Sequence, residues 1–317
     1  KDFTLPQVFK ASLAVDRKLP YGILLSADVT YNDNMSAITY QNLNIQEPTV
    51  FLTGADNRPR YNANNRVDNT YQGIYLASNT SEGKAWNTSY TLSKTFVSDR
   101  FDVYVQGTHA YGESTVMFDA TSSQNSSQWN NIETVNGSNR IGGLSRSDFD
   151  QGHRILGVTS LSVKWNNNLK TKLGFYYEGA QGTPFSYVYN DNGNLLRDTF
   201  SESALIYVPA NQSEIVLVDA PGGLTADQQW AALNSFIEKS DYLKSRRGTY
   251  AERNGDRLKW SHIIDLKFAQ EFTLNSGTKK HTFEITADIF NFTNLLNKNW
   301  GKRYFANFDQ VQLIDHV

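Results

Sequence analysis

Scattered histidines, a small acid–base group and one arginine-rich stretch are the residues of this chain whose types suit chemistry. His109, His153, His262, His281 and His316 show no metal-ligand spacing, and there is no nucleophile elbow, phosphate loop or HExxH motif. Asp148, Asp150, His153 and Arg154 lie close in sequence and read as a structural network where a loop enters a strand. Asn190-Asp191-Asn192-Gly193-Asn194 is oxygen-rich but lacks the carboxylates and the distant bidentate Glu of a calcium loop, so it reads as a turn. Arg246, Arg247, Arg253 and Arg257 form a basic cluster with Glu252 and Asp256 among them. Such a cluster could meet an anionic substrate or phosphate groups. The preferred reading is a set of ion pairs that order a long loop. No catalytic residue, metal or cofactor is expected.

Composition sets the outer limits. The chain has 317 residues and a net charge of −2, which gives no reason to expect nucleic acid as a partner. Aromatics make up 13% while hydrophobic residues reach only 39%, and mean hydropathy is −0.51. No apolar run is long enough for a transmembrane helix, but a spanning strand needs only about 9–11 residues, half of them polar. Cysteine is absent, which suits an outer-membrane protein and many others alike.

Positioning these residues are segments that alternate strictly between apolar and polar. Phe283, Ile285, Ala287 and Ile289 fall on one face, with Thr282, Glu284, Thr286 and Asp288 on the other. The same alternation predicts strands over Phe9–Val15, Tyr21–Asn32, Trp86–Phe96 and Phe101–Gln106. It continues over His153–Trp165, Lys170–Tyr189 and Ile264–Phe272, for about eight or nine strands in all. Very short turns, such as Val97-Ser98-Asp99-Arg100 and Asn166-Asn167-Asn168-Leu169, alternate with long polar loops near 41–69, 118–152 and 190–259. Within the last loop, Trp230, Leu233, Phe236 and Ile237 predict one short amphipathic helix near 225–242, capped by Thr225 or Asp227. Alternation also places Lys10, Asp28, Asp102, Gln106, Lys267, Glu284 and Asp288 on the polar side, which would be the lumen of a barrel.

Several ordered motifs go beyond a generic sheet. They are Asp148-Phe149-Asp150-Gln151-Gly152-His153-Arg154, Gln181-Gly182-Thr183-Pro184-Phe185-Ser186-Tyr187-Val188-Tyr189 and Leu205-Ile206-Tyr207-Val208-Pro209. Arg247-Gly248-Thr249-Tyr250-Ala251-Glu252-Arg253-Asn254-Gly255 and Asp288-Ile289-Phe290-Asn291-Phe292-Thr293-Asn294-Leu295-Leu296-Asn297 complete the set. Together they resemble the C-terminal barrel of the TonB-dependent outer-membrane receptors of Bacteroidetes, the Oar-like group whose members often carry a carboxypeptidase-regulatory-like domain.

The resemblance implies an all-β fold: part of an antiparallel transmembrane barrel of 22 strands that surrounds a plug. It further implies localisation in the bacterial outer membrane. The partners implied are outer-membrane lipid and lipopolysaccharide, the TonB complex, and surface lipoproteins or other outer-membrane subunits. This chain shows no plug-like segment, no TonB box near Lys1 and no terminal aromatic in Gln312–Val317, so it is expected to be about two fifths of a barrel wall from a longer protein.

The leading functional expectation is import of a large solute by plug displacement. An alternative keeps the barrel as a scaffold or partner subunit of a larger surface complex without active transport. A third reading, a secreted carbohydrate-binding β-sandwich, would place the apolar stripes against a second sheet.

Overall fold

A computed structural model describes residues 3–119, 121–190, 194–199, 203–220 and 222–315. Eight long strands follow one another as antiparallel neighbours: β1 (Gln7–Lys18), β2 (Leu24–Asn42), β3 (Lys84–Val97), β4 (Phe101–Val116), β5 (Gly152–Asn166), β6 (Leu169–Ala180), β7 (Ser261–Ser276) and β8 (Lys279–Ile289). Short strands Tyr75–Thr80 and Ser145–Arg146 join the margins of β2 and β4. Among the described residues β1 pairs only with β2 and β8 only with β7, so the sheet is open and both edges are bare.

Strand order equals chain order because each tight turn returns the chain beside itself. Tyr21 and Gly22 take positive φ values of 62° and 73° in the first turn, and Gly277 takes 60° in the last. All four tight turns lie at one end of the sheet. The three long connections, residues 43–83, 117–151 and 181–260, lie at the other.

Register carries the alternation across the whole sheet. Leu13 faces Val29, Tyr31 faces Trp86, Phe96 faces Val103, and Val103 faces Leu161. Leu161 faces Leu173, Leu173 faces Phe268, Phe268 faces Ala287 and Phe272 faces Phe283. One face is therefore apolar from β1 to β8, and most of its large side chains are exposed. Polar residues on this face near the turn end find partners there. Lys94 folds its ammonium over the Phe96 ring at 4.3 Å. Gln270 accepts from Thr171 Oγ1 at 2.7 Å, and Thr171 in turn accepts from the Trp165 indole at 2.7 Å.

The buried apolar core lies almost wholly in the long connections, which form a cap over one end of the sheet. Phe185, Tyr187, Leu196, Ile206, Val208, Ile237, Leu243 and Ala251 are its centre. Helix α1 (Asn125–Asn130), helix α2 (Ala226–Lys239) and helix α3 (Asp241–Ser245) lie in this layer, and α4 (Phe292–Leu296) follows β8. Thr225 caps α2 in a reciprocal pair with Gln228.

Four sequence expectations need correction. The sixth strand was expected to reach Tyr189 but ends at Ala180, so the long loop begins at 181, not 190. Pro184 has no N–H for the ladder, and Gly182 lies so close to the Leu258 main chain that no side chain fits. Pro184–Tyr189 is buried at every position, the signature of a strand covered on both faces; residues Ser186–Asn190 pair in parallel with Gln310–Asp315. Second, Tyr21 belongs to the turn, and β2 starts at Leu24. Third, among the described residues the loop layer holds three α-helices where one was expected; α1 is held by the buried Trp129, whose indole donates to Asn139 Oδ1 at 2.7 Å, not by its Asn/Ser-rich sequence. Fourth, the expected helix near 225–242 is two helices, broken at Ser240. Of the Asn190–Asn194 stretch, residues 191–193 lie outside the described residues, as does His316.

Candidate functional site

The polar face of the sheet gathers all seven residues assigned to it from alternation. Lys10 stands opposite Asn32, and Asp28 accepts from the Ser89 hydroxyl. Asp102 lies 3.6 Å from Lys164, and Gln106 accepts from the Tyr104 hydroxyl and donates to Thr108 Oγ1 at 3.3 Å. Lys172 bridges Glu284 at 2.6 Å and Glu271 at 3.2 Å, and Lys267 meets Asp288 at 3.2 Å. The result is a mixed-sign lattice in which Lys164, Lys172 and Lys267 each have a carboxylate beside them. Such exposed pairs contribute little stability each.

Two aromatic bands border the opposite, apolar face. Near the turns stand Phe96, Phe101, Trp165, Phe272 and Phe283. Near the cap stand Tyr31 against Trp86 (4.4 Å between centroids), Tyr90 against His109 (5.0 Å), Tyr111 against His153 (4.6 Å) and Trp260 against His262 (6.1 Å). His109 Nε2 and His153 Nδ1 are 3.1 Å apart, so two histidines scattered in sequence meet across β4 and β5. Among the described residues, no group of three or more His, Cys, Asp or Glu is arranged to hold a metal ion.

The cap contains a cleft of about 870 Å³, bordered by residues of all three long connections. Its charged lining is Arg58, Arg140, Arg146, Arg246 and Arg253 against Glu113, Glu133 and Glu252. Of the basic cluster read from sequence, only Arg246 and Arg253 line this cleft. Arg246 pairs with Glu252 at 3.0 Å and donates to the Tyr250 carbonyl at 2.9 Å. Arg253 donates to Ser145 Oγ and to the Val116 carbonyl, and its burial lowers its pKa. Arg247 instead clamps α2 through Glu238 at 2.7 Å and the Pro209 carbonyl at 3.0 Å. Arg257 pairs with the buried Asp150, and desolvation, aided by Arg146, lowers its pKa to about 10. Asp150 also accepts from the Ser114 amide at 2.8 Å and the Gly152 amide at 3.1 Å. Asp150 therefore knots β4, β5 and the 181–260 connection, while His153 points away from it to His109.

Arg58 is the main residue that sequence reading missed. It sits in a loop that reads only as rich in Asn, Arg and Asp; its partners, Tyr189 and Tyr250, are more than a hundred residues distant, so no local signal marks it.

Desolvation pushes Glu133, which accepts from Gln310 Nε2 at 2.7 Å, up to about 7 from its ordinary 4.5. The folded chain thus holds a proton that the unfolded chain has released between those two values. This group favours folding most at low pH, and its contribution is lost as pH rises from about 4.5 to about 7. Burial raises Asp119 and Asp309 in the same direction. The cap is therefore expected to melt at lower temperature at pH 8 than at pH 5.5, and Glu133→Gln should flatten that slope. An unchanged slope in thermal melts of the variant would remove Glu133 as the cause.

No protein-family model matches the chain, and no curated protein or solved structure is significantly similar to it.

Proposed function

We propose that the eight strands are part of the wall of an outer-membrane β-barrel, with the apolar face toward lipid and the polar face toward the lumen. The observation that carries this reading is the spacing of the two aromatic bands. Ten residues separate Trp86 from Phe96 on β3, and ten separate Phe101 from Tyr111 on β4. At about 3.3 Å per residue that is about 33 Å along the strand. With a tilt of about 40° it becomes about 25 Å of membrane thickness, the height of the apolar band on such barrels. Short turns at one end and long loops at the other fit the same orientation. Bare edges at β1 and β8 would leave backbone groups unpaired in lipid, so further strands must complete the wall.

The motif resemblance takes the proposal one step further: the barrel belongs to a TonB-dependent receptor that imports a large solute when its plug is displaced. Selectivity would come from the cap and the polar lattice, without catalysis. A scaffold role is favoured by one observation, the cap's own buried core, which would present a fixed surface to a partner. The full protein, isolated from outer membranes and sequenced, separates the two. A plug with a TonB box is the expected result, and a barrel with neither would leave the scaffold.

A further inference from the structure

We propose that the cap cleft binds an anionic ligand and that Arg58 recognises its oxyanion, a carboxylate or phosphate, through the two terminal nitrogens of its guanidinium. The proposal names a substrate class for the receptor reading and rests on that reading only for the word substrate.

Arg58 is 1% exposed, yet Nη1 and Nη2 have no hydrogen-bond partner among the described residues. Its Nε is already engaged by Asp56 Oδ1 at 2.8 Å, and Asp56 is held in turn by the Tyr189 hydroxyl at 3.0 Å. The guanidinium carbon lies 5.3 Å from the Tyr189 ring centre and 4.8 Å from that of Tyr250. Ring faces attract the cation but give its in-plane N–H groups no acceptor. Buried donors left without partners are unfavourable, and native structures rarely keep them unless water or a ligand supplies the acceptor. With Nε occupied, the unpaired part is the terminal fork, which a ligand reaches only by parting the side chains that now bury it and whose two parallel donors match two oxygens on one carbon or phosphorus.

The surroundings favour an anion over water alone. Arg58 borders the cleft, and five arginines face three glutamates along its walls. Of the rim arginines, Arg140 turns to Glu47 and Arg246 to Glu252, and both acids are well exposed. Those pairs can yield to a stronger acceptor, whereas Asp56 is locked among Arg58 and Tyr189.

Calorimetric titration of the full protein in detergent provides the test, with N-acetylglycine as the carboxylate probe, inorganic phosphate as the second anion and N-acetylglycinamide as the neutral control. Saturable binding of one or both anions and none of the amide is expected, the stronger anion identifying the oxyanion. Arg58→Gln should weaken it about tenfold or more. Arg246→Gln, on the exposed rim, should weaken it several-fold and remains readable if the buried variant fails to fold. Heat from neither anion, or equal affinity in both variants and the parent, would overturn the proposal. Loss of anion binding leaves the barrel reading intact, and a missing plug leaves the anion site intact, so the two can fail separately.

Discussion

Leu161→Lys should all but abolish insertion of this protein into membranes, whereas Ser160→Lys should insert almost as well as the parent. The two positions are neighbours on β5 but point to opposite faces. Leu161 stands between Val103 and Leu173, and Ser160 between Tyr104 and Gly174. Leu161 also lies inside the apolar band, four residues from Trp165 and eight from His153 on β5. A lysine on the lipid face costs about 2–4 kcal/mol at the midplane and less toward the bands, and the lower figure alone cuts the folded-to-unfolded ratio about 30-fold. Closer to a band the cost falls, so Ile285→Lys on β8, two residues from Phe283, should be milder yet still worse than Thr286→Lys. The readout is the folded, heat-modifiable fraction in outer-membrane preparations. Equal yields for Leu161→Lys and Ser160→Lys would mean that the faces are misassigned.

Asp150→Ala is expected to have the second largest effect, and it acts on the cap. The Asp150 side chain is fully buried, that of Arg257 is 12% exposed, and the change would strand the guanidinium without its anion. It would also orphan the Ser114 and Gly152 amides. Breaking a buried pair by removing one partner typically costs about 3–5 kcal/mol, enough to unfold a layer with so small a core. The strands would remain, because their ladder bonds do not pass through Asp150. Limited proteolysis should therefore cut within 181–260 much faster in the variant while the sheet persists. Unchanged cleavage would show that Arg257 finds another acceptor.

These two outcomes separate what was legible in the sequence from what was not. The strands were legible because one face is apolar and the other polar, so period-two alternation survives in Phe283–Ile289 and Trp86–Phe96 without knowledge of any partner. The same alternation put Lys10, Asp28, Asp102, Gln106, Lys267, Glu284 and Asp288 on one face, where register places them.

Alternation fails where a segment is covered on both sides. Phe185–Tyr189 is buried throughout, and it looked like the end of β6 because its partner, Gln310–Asp315, lies far along the chain. Helix α1 was hidden for a related reason, since its one large apolar residue, Trp129, anchors an otherwise polar sequence into the cap. The cleft was the least legible feature. Arg58, Tyr189 and Tyr250 come from two separate connections, and only the folded cap brings them together.

Contact of the apolar face with lipid can be tested directly, because this chain contains no cysteine. Single cysteines at each position from Trp86 to Phe96, spin-labelled in reconstituted bilayers, would be probed with oxygen and with a water-soluble nickel chelate. A two-residue alternation is expected: oxygen reaches positions 86, 88, 90, 92, 94 and 96, and the chelate reaches those between. Oxygen access that does not alternate, or that favours Asn87, Ser89 and Thr91, would contradict it.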